Sequence, residues 1–166
     1  DVGANQGEFA LYACSKLTNG KVIAFEPVSY QLQLLKNNIE LNHFDNIELN
    51  EYGLLDKECQ LEVYTSYSTD VHSGQNEGLS SLYKSDDRKD REGVIDLKVF
   101  DNEYSEKLDR LDVVKIDIEG AELFALKGMK KSLMKFKPLL LIEMNKKTFI
   151  DAGYSMEDVI SFLDEL

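Results

Sequence analysis

The chain has 166 residues, 43% of them hydrophobic, and a formal net charge of −12, values typical of one globular domain with a single core. This charge excludes tight, non-specific binding to nucleic acid or to anionic membranes, because the overall electrostatic interaction would be repulsive. No apolar run approaches the length of a membrane span. Cys14 and Cys59 match no metal or redox spacing, so we interpret them as free thiols in a reducing, cytoplasmic compartment.

The first part of the chain alternates helical and extended patterns, as repeated βα units do. After the opening stretch DVGANQGEF, apolar residues at helical spacing predict a helix that ends at Asn19-Gly20. Pro27 ends the strand that follows, and Ser29 is the expected N-cap of the next helix. The predicted elements are a helix with the apolar stripe Phe9, Tyr12, Ala13 and Leu17, a strand at Lys21–Glu26, a helix with the stripe Leu32, Leu35 and Ile39, and strands at Asn46–Tyr52 and Cys59–Thr65.

The segment Ser66–Gly93 interrupts this alternation. It is rich in Ser, Asp, Gly and Asn, with GLSSLY as its apolar island, and a segment of this kind is either functional or disordered. Beyond it the βα pattern resumes, so we predict an α/β fold with a mainly parallel sheet. The predicted elements are a strand at Val94–Asp101, a strand, acidic turn and helix start within Leu111–Glu122, a strand at Pro138–Asn145, and a helix over Ser155–Leu166 that Ser155 caps.

The opening turn and the acid of the next strand predict a nucleoside site. Ligands of open α/β sheets lie outside the carboxyl ends of the strands, and Gly3 and Gly7 allow the backbone to approach a ligand closely. The turn reads G-x-N-x-G, so it matches neither the dinucleotide nor the triphosphate fingerprint. Glu26 lies 19 residues after Gly7, where a carboxylate can accept hydrogen bonds from both ribose hydroxyls. Taken alone, Glu26 would be interpreted as a solvated acid at a strand end.

Further acids are expected near the same edge of the sheet. Such a cluster repels phosphates and favours a cation, and the sulfonium of S-adenosylmethionine is one. Taken singly, Asp117 could instead be a helix cap and Glu119 an acid favoured by the helix dipole. The acids in question are Asp1, Asp117, Glu119, Glu122 and Glu143.

Four motifs in order carry a family resemblance: DVGANQGEF, AFEPVSYQLQLLKNNIELN, DVVKIDIEGAELFALKG and LLLIEMN. Together they resemble the FkbM family of S-adenosylmethionine-dependent methyltransferases over nearly the whole chain. The resemblance implies a class I methyltransferase fold, Rossmann-like, with a mainly parallel sheet flanked by helices. It also implies one partial domain over residues 1–166, truncated at both ends, without the first strand and the terminal strand hairpin. A sheet without its central strand exposes unpaired edges, so we expect the isolated polypeptide to be unstable.

The same resemblance implies the cofactor S-adenosylmethionine and O-methylation of a hydroxyl on a sugar, glycolipid, polysaccharide or secondary metabolite. The partner would then be a small-molecule or carbohydrate acceptor. Ser29 departs from the family, which usually has a proline there. By position, the methionine side of the cofactor would meet Asp1, Gly3, Asn5 and Gly7, while Glu26 would hold the ribose and Asp117 would face the methionine end or the acceptor.

A hydroxyl acceptor needs a base, and Asp117 and Glu143 are the candidates by position; crowding by other acids should raise the pKa of one of them. His72 is an alternative base if Ser66–Gly93 folds over the acceptor, and Tyr64, Tyr67 and Tyr83 suit a hydroxylated acceptor there. No metal is required, although magnesium on Asp117, Glu119 or Glu143 is an alternative. Two other function classes stay open: a non-catalytic nucleoside-binding or scaffold domain, and a nicotinamide-dependent oxidoreductase.

Overall fold

The computed structural model describes residues 1–65, 80–85 and 88–166. Helices and strands alternate through most of these ranges, which confirms the predicted α/β class. In chain order the elements are α1 (Glu8–Lys16), β1 (Val22–Phe25), α2 (Ser29–Asn42), β2 (Ile47–Asn50), β3 (Gly53–Leu54), β4 (Cys59–Thr65), β5 (Asp90–Lys98), α3 (Phe100–Tyr104), β6 (Val113–Ile116), α4 (Glu122–Gly128), α5 (Lys130–Phe136), β7 (Leu139–Ile142), α6 (Lys146–Asp151) and α7 (Met156–Asp164).

The main sheet is parallel and is joined at Val2. Strand β1 pairs with β2, β6 pairs with β7, and Val2 forms parallel bridges to Phe25 on one side and Ile116 on the other. The spatial order is therefore β2, β1, Val2, β6, β7, and the chain proceeds outward from Val2 first in one direction and then in the other. The carboxyl ends of β1, β6 and β7 consequently meet at one edge, beside the point where the strand order reverses.

A second, smaller sheet stands beside that edge. Strand β5 lies between β3, to which it is parallel, and β4, to which it is antiparallel. Its apolar residues Val63, Ile95 and Leu97 pack with Val28, which precedes α2, and with Ala121, which precedes α4. Strand β5 starts at Asp90, so the prediction of irregular chain as far as Gly93 is wrong, and the predicted strand end at Asp101 is also wrong because α3 begins at Phe100.

The helix after the opening turn is present, but its predicted apolar stripe is wrong. Phe9 and Tyr12 are 54% and 66% exposed, whereas Ala10 and Cys14 are buried against the β1 side of the sheet. Small residues allow α1 to approach the sheet closely, and the large aromatic rings then point away from it. No helix in the three described ranges is long and apolar enough to cross a membrane.

Of the two predicted N-caps, Ser155 is correct and Ser29 is wrong. Ser155 caps α7 through a reciprocal capping box with Asp158. Ser29, in contrast, is the first residue of α2 and does not cap it, because Val28 occupies the N-cap position and donates its N–H to Glu26.

The sequence patterns missed three short helices, α3, α5 and α6. Helix α5 receives its cap from another helix: Asp101 of α3 accepts hydrogen bonds from the N–H groups of Lys131 and Ser132, at 2.7 and 2.9 Å. The largest core cluster lies between the main sheet and the helices of the second half, around Phe25, Ile116, Leu126 and Phe149.

Candidate functional site

A cleft of about 490 Å³ opens at the carboxyl edge of the main sheet. The opening turn forms one side through Gly3 and Asn5, and the ends of β1 and β6 contribute Glu26 and Asp117. Residues of the smaller sheet, among them Ile95, complete the lining. The cleft therefore lies where an open α/β sheet binds its ligands.

The glycines of the opening turn are required by packing inside the protein. Gly3 has φ 77°, and a Cβ added there would lie 2.0 Å from the carbonyl oxygen of Asp117. Gly7 has φ 102°, and its added Cβ would lie 2.6 Å from Cδ1 of Leu35. These contacts show a packing requirement that the sequence did not predict, of the turn on β6 at Gly3 and of the start of α1 on α2 at Gly7.

Glu26 is buried and oriented by two backbone donors. The residue is 5% exposed, so the alternative of a solvated acid is wrong. Its Oε2 accepts a hydrogen bond from the N–H of Asn5 at 2.8 Å, and its Oε1 accepts one from the N–H of Val28 at 2.9 Å. Burial raises the pKa of Glu26, and these two donors together with Lys115 oppose the rise. Since each carboxylate oxygen has two acceptor positions, the donors found among residues 1–65, 80–85 and 88–166 leave one position on each oxygen of Glu26.

Asn5 presents a second oriented polar group. Its backbone is left-handed, with φ 50°, and this conformation directs its N–H at Glu26. Its Oδ1 is buried and has no hydrogen-bond partner within residues 1–65, 80–85 and 88–166. A ligand that donates a hydrogen bond would satisfy this oxygen, since a buried acceptor without a partner is costly.

Three carboxylates converge at the ends of β6 and β7. One oxygen from each of Asp117, Glu119 and Glu143 lies within 4.8 Å of the other two. The pKa of Glu143 is raised to about 7 by partial burial of its carboxyl group, by a hydrogen bond shared with Asp117, and by the neighbouring charges. The predicted direction thus agrees with the structure, although burial, and not crowding, is the larger cause. We call these three residues the acid group.

Lys115 places a cation beside the acid group, and the sequence interpretation missed it. Its Nζ donates a hydrogen bond to the carbonyl oxygen of Gly3 at 2.8 Å and lies 3.5 Å from Oδ2 of Asp117 and 3.2 Å from Oδ1 of Asp1. A lysine inside the otherwise apolar strand VVKI was the available signal, because a buried ammonium group needs nearby oxygen atoms.

Three of the predicted site residues, two acids and one glycine, lie outside the lining of the cleft. The Asp1 carboxylate is buried against Lys115, and Gly7 lies in the packing of α1 on α2. Glu122 is fully buried and holds the turn before α4, accepting hydrogen bonds from the N–H of Gly120 and the hydroxyl of Tyr154. Gly3, Asn5, Glu26, Asp117, Glu119 and Glu143 do line the cleft.

Asp117 does not cap helix α4, and Glu119 lies before the N-cap of that helix and outside its first turn. Helix α4 starts after Ala121, and no side chain caps it. His72 and Tyr67, predicted as a possible base and as an acceptor contact, lie outside the described residues. Tyr83 is described and packs against Gly120, where an added Cβ would lie 3.2 Å from its Cδ2.

This fold defines a Rossmann-like α/β domain with a cleft at the reversal of strand order. The whole chain, residues 1–166, matches the methyltransferase FkbM domain, and the chain therefore belongs to the FkbM methyltransferase family.

Two relatives agree with this membership, and a solved structure shares the fold. Methyltransferase 1 of Beauveria bassiana is 27% identical over 78% of the chain, and Methyltransferase sdnD of Sordaria araneosa is 28% identical over 78%. The chain spans 57% and 59% of the lengths of these two proteins. The crystal structure of an FkbM methyltransferase from Methylobacillus flagellatus KT superposes with a TM-score of 0.62 and 23% identity, covering 97% of this chain and 36% of that one. The superposition supports the fold.

Proposed function

We propose that the chain binds S-adenosylmethionine in the cleft and transfers its methyl group to a hydroxyl oxygen of a small polar acceptor. The acceptor would be a sugar, glycolipid, polysaccharide or secondary metabolite. The observation that carries the proposal is Glu26, a buried carboxylate fixed by Asn5 and Val28 at the end of β1, on which the described part of the chain leaves one acceptor position per oxygen.

The residues present fit this donor. Glu26 is placed to accept hydrogen bonds from two vicinal hydroxyls, as a ribose offers them. The Oδ1 of Asn5, which has no hydrogen-bond partner among the described residues, would accept a hydrogen bond from an ammonium or hydroxyl group. The acid group supplies negative charge for a cationic ligand. When bound, the donor supplies a methyl group on a sulfonium that leaves as a neutral thioether.

The same charges disfavour a nicotinamide dinucleotide. Its pyrophosphate would approach Asp117 and Glu143, and the opening turn has no third glycine to form a phosphate cradle. The oxidoreductase is accordingly the weaker alternative. A scaffold domain would retain Glu26 and Asn5 without needing an acid group in the cleft.

Glu143 is the base that this geometry favours. A carboxyl group with a pKa of about 7 is partly ionised at neutral pH and can accept the proton of an acceptor hydroxyl as the oxygen bonds to carbon. Asp117, which shares a hydrogen bond with Glu143, would orient the acceptor or take part in the proton transfer. Positioning of the hydroxyl by these carboxylates would supply the remaining acceleration.

Calorimetric titration with S-adenosylhomocysteine, with NAD as the parallel ligand, tests the cofactor. We expect S-adenosylhomocysteine to release heat of binding and NAD to release none. Binding of NAD without binding of S-adenosylhomocysteine would favour the oxidoreductase. Transfer of a labelled methyl group to a panel of monosaccharides, polyols and hydroxylated metabolites then tests the reaction. Binding of S-adenosylhomocysteine without transfer to any oxygen acceptor would favour the scaffold domain.

A further inference from the structure

Glu119 is held from two directions by residues that precede β5. Nη2 of Arg88 lies 2.5 Å from Oε2 of Glu119, and both side chains are nearly buried, with 9% and 11% of their surface exposed. The hydroxyl of Ser81 donates a hydrogen bond to the Glu119 carbonyl oxygen at 2.6 Å. A buried, charge-assisted pair of this kind fixes the relative position of the segments that it joins.

Ser81 belongs to a wall segment, which we define as residues 80–85. The backbones of Ser81 and Tyr64 exchange two hydrogen bonds, of 2.8 and 2.9 Å, so the wall segment is paired with β4. Leu82 and Tyr83 pack on the core of the smaller sheet. Ser80, Ser81 and Leu82 line the cleft, so the wall segment forms part of its surface.

The wall segment is hydrogen-bonded, through Ser81, to the backbone turn that carries Glu119 of the acid group. Glu119 has φ 53° and Gly120 has φ 110°, a conformation that Glu122 fixes from inside by accepting the N–H groups of Ile118 and Gly120. Asp117 directly precedes this turn. A displacement of Glu119 by the wall segment would therefore move the carboxylate of Asp117, whereas Glu26 is held separately by Asn5 and Val28.

We propose that the wall segment is the acceptor side of the cleft, and that Arg88 positions it through Glu119. The inference rests on the proposed function. In this proposal Glu119 anchors the wall segment through Arg88 and Ser81, and the proton transfer is left to Asp117 and Glu143. The acceptor class that fits is a polyhydroxylated molecule, since the carboxylates of Asp117 and Glu143, which accept hydrogen bonds from hydroxyl groups, line the cleft.

The test compares Arg88→Gln with Arg91→Gln, because Arg91 forms an exposed ion pair with Glu62 and lies outside the cleft lining. Hydrogen exchange reports on the wall segment through the amides of Ser81 and Tyr64. We expect exchange there to be about tenfold faster or more in Arg88→Gln, because removing one partner of a buried pair strongly destabilises its surroundings. Arg91→Gln should exchange like the wild type, and Arg88→Lys should restore much of the protection.

Ligand measurements separate the two sides of the cleft. Affinity for S-adenosylhomocysteine should stay within about twofold in Arg88→Gln, while kcat/KM for the sugar that accepts the label should fall about fivefold or more, and Arg88→Lys should restore much of it. Unchanged exchange in Arg88→Gln, or a matching loss of S-adenosylhomocysteine affinity, would overturn the inference. Failure of the wild type to bind S-adenosylhomocysteine would instead overturn the proposed function.

Discussion

Lys115 ties the opening turn to the acid group: its Nζ lies 2.8 Å from the carbonyl oxygen of Gly3 and 3.5 Å from Oδ2 of Asp117. Lys115→Met would leave two carboxylates near this position without their cation. We expect the free energy of unfolding to fall by about 3 kcal/mol, as when one partner of a buried ion pair is removed. Urea unfolding measures this. Lys21→Met, which breaks an exposed pair with Glu48, should cost less than about 1 kcal/mol, and equal losses would contradict the assignment.

Glu26→Ala should weaken binding of S-adenosylhomocysteine by about 1–3 kcal/mol through loss of charge-assisted hydrogen bonds. The variant also leaves the N–H groups of Asn5 and Val28 without their acceptor, so Glu26→Gln, which keeps the shape of the side chain, is the companion variant. Calorimetry measures both affinities. Glu40→Gln, on the exposed side of α2, is the control, and an affinity of Glu26→Ala equal to that of Glu40→Gln would remove Glu26 from the site.

Glu143→Gln should abolish the pH dependence of methyl transfer near neutrality. In the wild type the rate should rise with pH and level off above about 7, because the ionised carboxylate accepts the proton. Loss of a general base typically lowers the rate by about 10²-fold or more. A rate–pH profile on the sugar that accepts the label measures both effects, and a variant with the wild-type profile would exclude Glu143 as the base.

The same carboxyl group makes stability depend on pH. Its folded pKa of about 7 lies above the ordinary value of 4.5, so the folded state binds more protons than the unfolded state between these values, and the free energy of unfolding falls as pH rises from 4.5 to 7. Glu143→Gln should flatten that decline in urea unfolding followed across the window. Glu157→Gln, on the surface of α7, should keep it, and identical slopes in the two variants would contradict the raised pKa.

Gly3→Ala should damage the site through the backbone. Its Cβ would meet the Asp117 carbonyl at 2.0 Å in a left-handed conformation, so we expect a loss of about 1–3 kcal/mol in stability together with weaker S-adenosylhomocysteine binding. Thermal unfolding and calorimetry measure the two. Gly93→Ala is the matched control, because an added Cβ there meets nothing within 4 Å. Tolerance of Gly3→Ala equal to that of Gly93→Ala would contradict the packing argument.

The site was predictable where local pattern determined it. Glu26 ends an apolar strand that follows the glycine turn and one helix. In parallel βα units this spacing brings the end of the strand close to the turn, so the sequence predicted Glu26 at the cleft. Lys115 and Arg88 were missed because long side chains reach partners that only tertiary packing brings near. The buried face of α1 was predicted from hydrophobicity alone. In the structure the small Ala10 lies against the sheet and Phe9 is exposed, because the space between the helix and the sheet fits only small side chains.

Val2 links the two sides of the main sheet beneath the cleft. It donates and accepts backbone hydrogen bonds on the β6 side, and its bridge to Phe25 joins the β1 side. A molecule that touches both Glu26 and Asp117 would connect the same two sides from within the cleft. Ligand should therefore slow hydrogen exchange at Phe25 and Asp117 together, since both backbone amides are hydrogen-bonded to the Asp1–Val2 stretch from opposite sides.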